Sequence, residues 1–335
     1  MNHSPEALSR QQRMLLALRA GTISLNLALC ATCAADDLPT PAPGERAAVD
    51  STFDRSITRI LRLGDIGRYE EALVLCDSLH EALPDHPGPY LSTAGVYVNW
   101  MQSHRLSQFQ EEVDLNAQRA IDTGTELLAS SDDPWLSFYV GSAYGYRALA
   151  RLRRHNWIGA FLDGRRSNEH LNTALKRDPR LYDAYFALGG YHYWRTARSD
   201  FLRTVAFWMR DRRDLGLRQM QLAVDHGRYI RNGALHGLAL ARYDAGDWEG
   251  ALAANQLLMD TIEPPTNGSL YLRGRLFAQR QDWPAVERTF KQLLTKLTVR
   301  PRGYQSVGYQ VECMYWIAAA LKNQGRIDAS RQLAA

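Results

Sequence analysis

Two short groups of aromatic and basic residues are the best candidates for a binding surface. They are Tyr144, Tyr146 and Arg147, followed later by Tyr191, Tyr193, Trp194 and Arg195. Aromatic rings and arginine often anchor interfaces, because they bury a large area and donate several hydrogen bonds. A groove lined by both groups would suit an acidic segment or the C-terminal carboxylate of a peptide. The alternative is that most of these side chains fill helix crossings in the core, where Trp and Tyr pack routinely.

The spacings that catalysis and metal binding require are absent from the sequence. It contains no glycine-rich phosphate loop, no HExxH and no GxSxG, and its nine His residues show no ligand spacing. The only Cys-x-x-Cys pair is Cys30 and Cys33, near the N-terminus. The sequence therefore predicts a protein that is not an enzyme and that holds no metal or cofactor. The alternative is an enzymatic site hidden in the irregular region 88–160, whose carboxylates would bind a divalent cation.

The elements that must position the two groups are helices. Apolar residues recur at helical spacing from Phe53 onward, and no long run alternates with period two, so we expect an all-α chain. The stretch 169–194 contains the end of one helix, a turn at Pro179 and the start of the next helix. Ala174 and Gly189 are the small residues expected where neighbouring helices approach closely.

Several turns repeat a pattern of a polar or glycine residue, an aromatic residue and a small residue. Examples are Gly67-Arg68-Tyr69-Glu70-Glu71-Ala72 and Gly246-Asp247-Trp248-Glu249-Gly250-Ala251, and Trp283 follows Trp248 after 35 residues. This spacing is close to the 34-residue period of the tetratricopeptide repeat (TPR), which the chain resembles. The resemblance implies a TPR-like right-handed α-solenoid of stacked helical hairpins over 51–335, with irregular extra helices. It also implies a non-enzymatic scaffold that holds protein segments in a concave groove. In the order of its elements, 138–194 is similar to uncharacterised exported bacterial TPR proteins.

The N-terminus has the pattern of a secretory signal. A basic start, about a dozen apolar residues after Arg19 and small residues near Ala35 predict a signal peptide over 1–35, too short to span a membrane. The proline-rich segment 36–50 is expected to be a flexible linker. We therefore expect an exported, periplasmic protein. A lipid anchor at Cys30 or Cys33 and an uncleaved, tethered form remain alternatives, and Met14 is a second candidate start.

Charge gives little reason to expect nucleic acid as a partner. The formal charge is +4, and it falls to +2 when removal of 1–35 takes away three arginines and one glutamate. Acidic residues concentrate over 111–126 and basic residues over 147–166, so we expect the two regions to face each other or to line opposite walls of one groove.

The segment 201–213 interrupts the repeat pattern with a basic amphipathic stripe. Phe201 and Trp208 lie on its apolar side and Arg210 flanks it, which would suit a membrane surface. The alternative function is thus that of a membrane-peripheral envelope assembly factor, although a helix that covers the core is the simpler interpretation. Cys76 and Cys313 are expected to be buried, with a disulfide between them as an alternative.

Overall fold

The computed structural model describes residues 38–41, 51–198 and 211–334. Within these residues the chain forms fourteen α-helices, one short 3₁₀ helix (Arg302–Tyr304) and no strand, which confirms the all-α prediction. The helices are α1 (Thr52–Asp65), α2 (Tyr69–Ala82), α3 (Pro87–His104), α4 (Gln110–Leu128), α5 (Pro134–Arg153), α6 (Trp157–Arg177), α7 (Asp183–Arg198), α8 (Arg213–His226), α9 (Arg231–Ala245), α10 (Trp248–Thr261), α11 (Asn267–Gln279), α12 (Trp283–Thr298), α13 (Val307–Asn323) and α14 (Ile327–Ala334).

Three predictions fall outside these residues. They are the signal peptide over 1–35, most of the linker over 36–50, and the amphipathic stripe with Phe201, Trp208 and Arg210. Of the linker, 38–41 is described, and Leu38 lies partly buried against the core.

Each helix packs against the next one in the chain, and short connections make neighbouring helices antiparallel. The first helices of successive hairpins also contact each other, from α1 through α3, α5, α7 and α9 to α11. The core is accordingly a series of local clusters, each built from two or three neighbouring hairpins. Small residues allow the closest approach, because a Cβ at Gly189 would lie 2.7 Å from the carbonyl oxygen of Gly216 on α8. This contact confirms the role predicted for Gly189.

The turn between the two helices of a hairpin has one geometry in five places. In each of these turns, the residue two positions before the start of the second helix has a positive φ. These residues are Gly67 (80°), His155 (59°), Gly246 (83°), Gln281 (59°) and Gly325 (78°). In three of these turns the next residue caps the second helix with its side chain; these residues are Asn156, Asp247 and Asp282. Their backbone angles are nearly the same in the three turns: φ −83° and ψ 76° at Asn156, φ −80° and ψ 75° at Asp247, and φ −79° and ψ 74° at Asp282.

Gln281 holds this left-handed conformation at a cost that glycine would avoid. A Cβ in the left-handed region costs about 1–2 kcal/mol, partly offset by the greater entropy of glycine in the unfolded chain. We expect Gln281→Gly to stabilise the protein by about 0.5–1 kcal/mol, measured by urea unfolding. Gly246→Ala is the matched reverse change, because no atom lies within 4 Å of a Cβ there, and it is expected to destabilise by a similar amount. Equal stabilities for all three proteins would contradict this account.

The two cysteines lie in separate clusters. Cys76 is buried among α1–α3 and Cys313 among α11–α14, and both are free thiols, so the alternative disulfide is absent. Burial raises the pKa of Cys76 to about 11 and that of Cys313 to about 12, which keeps both thiols protonated at neutral pH.

The first two hairpins contact later parts of the chain, from the connection before α9 to α13, and we call this set of contacts the closure. Asp54 on α1 accepts hydrogen bonds from Arg228 and Tyr229, just before α9. Asn267 on α11 donates to the carbonyl oxygen of Ser103 on α3 at 3.1 Å. Further links across the same closure are Asn232 to Asp65, Arg300 to Gly67, Gln108 to Gly303 and the ring contact of Trp100 with Tyr304. Leu38 and Ile66 also pack against the core cluster that α7 to α11 form.

The closure makes stability depend on the charge of Asp65. This carboxylate accepts a hydrogen bond from Asn232 at 2.8 Å, but burial raises its pKa from 3.8 to about 6. Because the folded-state pKa is raised, the group favours folding fully below about pH 4 and loses that contribution as pH rises through 6. We expect Asp65→Asn to stabilise the protein by about 1–2 kcal/mol at pH 7.5, after allowance for solvent screening, and to give no gain at pH 4.

Chemical unfolding of Asp65→Asn at both pH values measures this difference. Asp77→Asn, an exposed change on α2, serves as the control and is expected to have little effect. A stability gain for Asp65→Asn that is the same at pH 4 and 7.5 would rule out titration as its cause.

Candidate binding clefts

The first cleft lies between α4 and α6 with α5 as its floor, and we call it the polar cleft. It has a volume of about 630 Å³. Its lining residues are Gln118, Ile121, Asp122, Thr125 and Glu126 from α4, Tyr144, Arg147 and Arg151 from α5, and Arg166 from α6. The acidic side chains line one wall and the arginines lie on the floor and the other wall, as the segregated charges of 111–126 and 147–166 predicted. Arg154 at the end of α5 also pairs with Asp114 of α4 at 2.8 Å.

A buried ion pair fixes the arginines of this cleft. The carboxylate of Asp163 on α6 is fully buried and accepts both Nε and Nη2 of Arg147 at 2.8 Å. Arg151 adds a contact of 2.9 Å and Arg166 lies 3.8 Å away. Burial alone would lower the pKa of Arg147, but the hydrogen bonds and charge of Asp163 outweigh it and raise that pKa. Three guanidinium groups thus face one buried carboxylate, which leaves surplus positive charge on the more exposed Arg151 and Arg166.

Tyr144 connects the floor of the polar cleft to its basic wall. The guanidinium of Arg147 lies 5.0 Å from the centre of its ring, and that of Arg166 lies 5.7 Å away. The ring also stacks on that of His170, whose pKa is lowered by burial. This aromatic ring, in contact with two cations, offers an apolar surface beside the charged groups.

The predicted site residues do not form one groove. Tyr144 and Arg147 line the polar cleft, whereas Tyr146 points toward α3, where its hydroxyl lies 3.2 Å from a Cβ placed on Gly95. Tyr193 is fully buried and donates its hydroxyl to the carbonyl oxygen of Ala241 at 2.7 Å.

The remaining residues of the second group lie beside Tyr193. Trp194 packs against it in the α7–α11 cluster, and Tyr191 is buried with the guanidinium of Arg195 at 5.4 Å. The physical reason is the close approach of α7 and α8 at Gly189 and Gly216, which turns the end of α7 into the core. Tyr191, Tyr193 and Trp194 are therefore buried in the core, as the alternative interpretation of these aromatic residues predicted.

A second cleft occupies the equivalent position two hairpins later, between α8 and α10 with α9 as its floor. We call it the apolar cleft, and its volume is about 410 Å³. Its lining residues include Gln221, Val224 and Asp225 of α8, Arg231, Leu235, Leu238 and Arg242 of α9, and Ala254 and Leu257 of α10. This cleft was not predicted, although the sequence contains a signal for it: Arg231 and Arg242 stand at the two ends of a helical stripe spaced i, i+4, i+7 and i+11.

The same polar contact recurs along the chain. In three helices a glutamine donates to an aspartate one turn later and accepts from an arginine of the following helix. The sets are Gln118, Asp122 and Arg147; Gln221, Asp225 and Arg242; and Gln256, Asp260 and Arg273. In each set the glutamine thus joins an aspartate of its own helix to an arginine of the next helix.

Comparisons of the chain with protein-family models and with curated proteins find no match. Among the described residues, no three His, Cys, Asp or Glu side chains come together in a way that could hold a metal ion. Within the same residues, no helix has the length and apolar character needed to cross a membrane. The TPR resemblance therefore stays a prediction that depends on the sequence and the turn geometry.

Proposed function

We propose that this protein is a non-enzymatic scaffold that mediates protein–protein interaction, built as a TPR-like right-handed α-solenoid. The recurring turn geometry at Gly67, His155, Gly246, Gln281 and Gly325 supports the repeat assignment. So do the contacts between the first helices of successive hairpins and the division of the core into local clusters, as expected of stacked repeats. The resemblance to exported proteins supports a periplasmic location, which mass spectrometry of the native N-terminus would test.

The observation that carries the function is the charge arrangement of the polar cleft. Arg151 and Arg166 hold surplus positive charge on one side, while Asp122 and Glu126 lie exposed on the other. The ring of Tyr144 lies near the arginines. The natural ligand is an extended protein segment with a carboxylate near the arginines and a basic group near the acidic wall. We assign the partner to this cleft because its rim residues Asp122, Thr125 and Glu126 are exposed.

Site-specific photocrosslinking in the native cell tests the assignment. A benzoylphenylalanine in place of Thr125, on the rim of the cleft, should give a discrete adduct with a partner protein. Arg166→Glu should reduce that adduct at least 10-fold, because reversing a charge on the basic wall repels the carboxylate. Arg166 is suited to the test because its side chain is 53% exposed, so the change should not disturb the core.

Two controls separate binding from general charge effects. Arg165→Glu makes the same charge change at the adjacent residue of α6, which does not line the cleft, and it should leave the adduct unchanged. A crosslinker at Ser78, exposed on α2, should give no such adduct. An adduct at Thr125 that survives Arg166→Glu, or the absence of any adduct, would remove the polar cleft as the partner site.

A further inference from the structure

Three large apolar residues beside the polar cleft are exposed to solvent, and we call them the apolar rim. Leu115 on α4 is 62% exposed, and Ile158 and Leu162 on α6 are 78% and 44% exposed. Leu115 lies two helical turns before Asp122, so it continues the acidic wall. Leu162 lies one turn before Arg166, so it continues the basic wall. Single apolar residues are normal on a protein surface, but a group of them at the edge of a cleft indicates a contact surface.

The last turn of α5 holds the apolar rim at one end of the polar cleft. Arg154 pairs with Asp114, the residue before Leu115, at 2.8 Å. Arg151 donates to the carbonyl oxygen of Gly159, in the first turn of α6, at 3.4 Å. Both walls are therefore apolar at this end of the cleft, next to the arginines of its floor.

The fold does not require apolar residues at the two rim positions of α6. Four other second helices follow the same turn, so counting from the turn gives the positions equivalent to Ile158 and Leu162. The equivalent pairs are Glu70 and Val74 in α2, Glu249 and Ala253 in α10, Pro284 and Arg288 in α12, and Asp328 and Gln332 in α14. Among these helices, α6 alone has large apolar residues at both positions, so the needs of the hairpin do not explain them.

We propose that the polar cleft and its apolar rim together bind one extended segment of a partner protein, in which an acidic residue and two large apolar residues stand at alternate positions. This inference rests on the proposed function and specifies the sequence of the partner. Arg166, Leu162 and Ile158 follow each other at intervals of four residues and form one ridge along α6, with steps of about 6 Å. Side chains on one face of an extended chain recur every second residue, about 6.6 Å apart. The ridge thus matches an acidic residue with apolar residues two and four positions away.

The charges of the polar cleft determine how such a segment lies and what kind of partner it belongs to. Arg151 and Arg166 carry the surplus positive charge, so the acidic residue lies beside them and the apolar residues lie toward the first turn of α6. The exposed carboxylates of Asp122 and Glu126 on the opposite wall would repel the anionic headgroups of a membrane. The same chemistry therefore favours a protein segment over a lipid surface.

Labelled synthetic peptides test the spacing with the full chain. The probes contain Glu-Thr-Leu-Thr-Leu or the reverse order of the same residues, because the ridge allows either chain direction. The control peptides contain Glu-Leu-Thr-Leu-Thr or its reverse, which place both leucines on the opposite face of an extended chain from the glutamate. In fluorescence anisotropy, at least one probe should bind at least about 5-fold more tightly than its control of the same composition. Equal binding of each probe and its control would overturn the proposal.

Variants of the apolar rim show where the peptide lies. Ile158→Asp and Leu162→Asp should each weaken binding of the probe at least about 5-fold, because each replaces an apolar contact by a solvated charge. Val74→Asp makes an exposed change at the α2 position equivalent to Leu162 and should bind the probe like the parent chain. Circular dichroism confirms that each variant is folded. If both rim variants bind the probe as tightly as the parent chain, the proposal is wrong.

Photocrosslinking in the native cell separates this inference from the proposed function. The double change Ile158→Asp with Leu162→Asp should reduce the adduct at Thr125 at least about 5-fold, and a crosslinker in place of Ile158 should capture the same partner protein. An adduct at Thr125 that is lost in Arg166→Glu but unchanged in the double variant would leave the proposed function standing and overturn this inference. The absence of any adduct at Thr125 would overturn both. Capture of lipid or of a second copy of this chain at Ile158 would also overturn the inference.

Discussion

Replacing Asp163 by alanine is expected to destabilise the protein by about 3–5 kcal/mol. This carboxylate is fully buried and is the shared partner of Arg147, Arg151 and, at longer range, Arg166. Removing one member of a buried ion pair leaves the other charge without compensation in a medium that solvates it poorly. Arg147 cannot escape to water, because its own side chain is only 6% exposed.

Urea unfolding measures the loss, and two further variants identify its cause. Glu169→Gln removes the exposed partner of Arg165 and should cost less than about 0.5 kcal/mol. The double change Asp163→Leu with Arg147→Met replaces both charges by hydrocarbon and should recover most of the loss. If the double variant is as unstable as Asp163→Ala, lost packing rather than an uncompensated charge explains the effect.

The helices and the hairpin turns could be predicted from the sequence because both depend on local chemistry. Glycine at positive φ, as at Gly67 and Gly246, and a capping side chain before an aromatic residue, as at Asp247, specify the turn within a few residues. His155 and Gln281 adopt the same positive φ without glycine. The sequence therefore does not mark these two turns with a glycine, although their backbone conformation is the same.

The candidate site was predicted only in part, because burial depends on neighbours that are distant in the sequence. Tyr144 and Tyr193 are both aromatic residues on first helices, yet Tyr144 lines a cleft and Tyr193 has no exposed surface. The difference comes from the approach of α8 at Gly216. The closure was likewise not predicted, because pairs such as Asp54 with Arg228 join residues about 170 positions apart, and no local pattern encodes them.

Arg105→Met is the change expected to weaken this closure most. Arg105 lies just after α3, where it has a φ of 53°, and its guanidinium lies 3.7 Å from the ring centre of Tyr309 and 4.7 Å from that of Tyr271. It also pairs with Glu312 on α13. Methionine keeps the aliphatic part of the side chain, and its Cβ makes the positive φ at this position as unfavourable as arginine does. The measured loss therefore reports the contribution of the guanidinium group alone. We expect a loss of about 3–4 kcal/mol, because a desolvated cation–π contact is lost and the largely buried carboxylate of Glu312 loses its cation, although it keeps the hydrogen bond from the hydroxyl of Tyr271.

Urea unfolding measures that loss, and hydrogen exchange shows where it acts. If Arg105 holds the first hairpins to the last, exchange should accelerate at 105–109 and 300–312 but not within α5 and α6, which Arg105 does not touch. Arg68→Met, which removes an exposed pair with Glu71, should change neither measurement by much. Adding Glu312→Gln to Arg105→Met removes the unpaired charge and should restore part of the stability while exchange at the closure stays fast. A uniform increase in exchange along the whole chain would mean that Arg105 supports the fold in general rather than the closure.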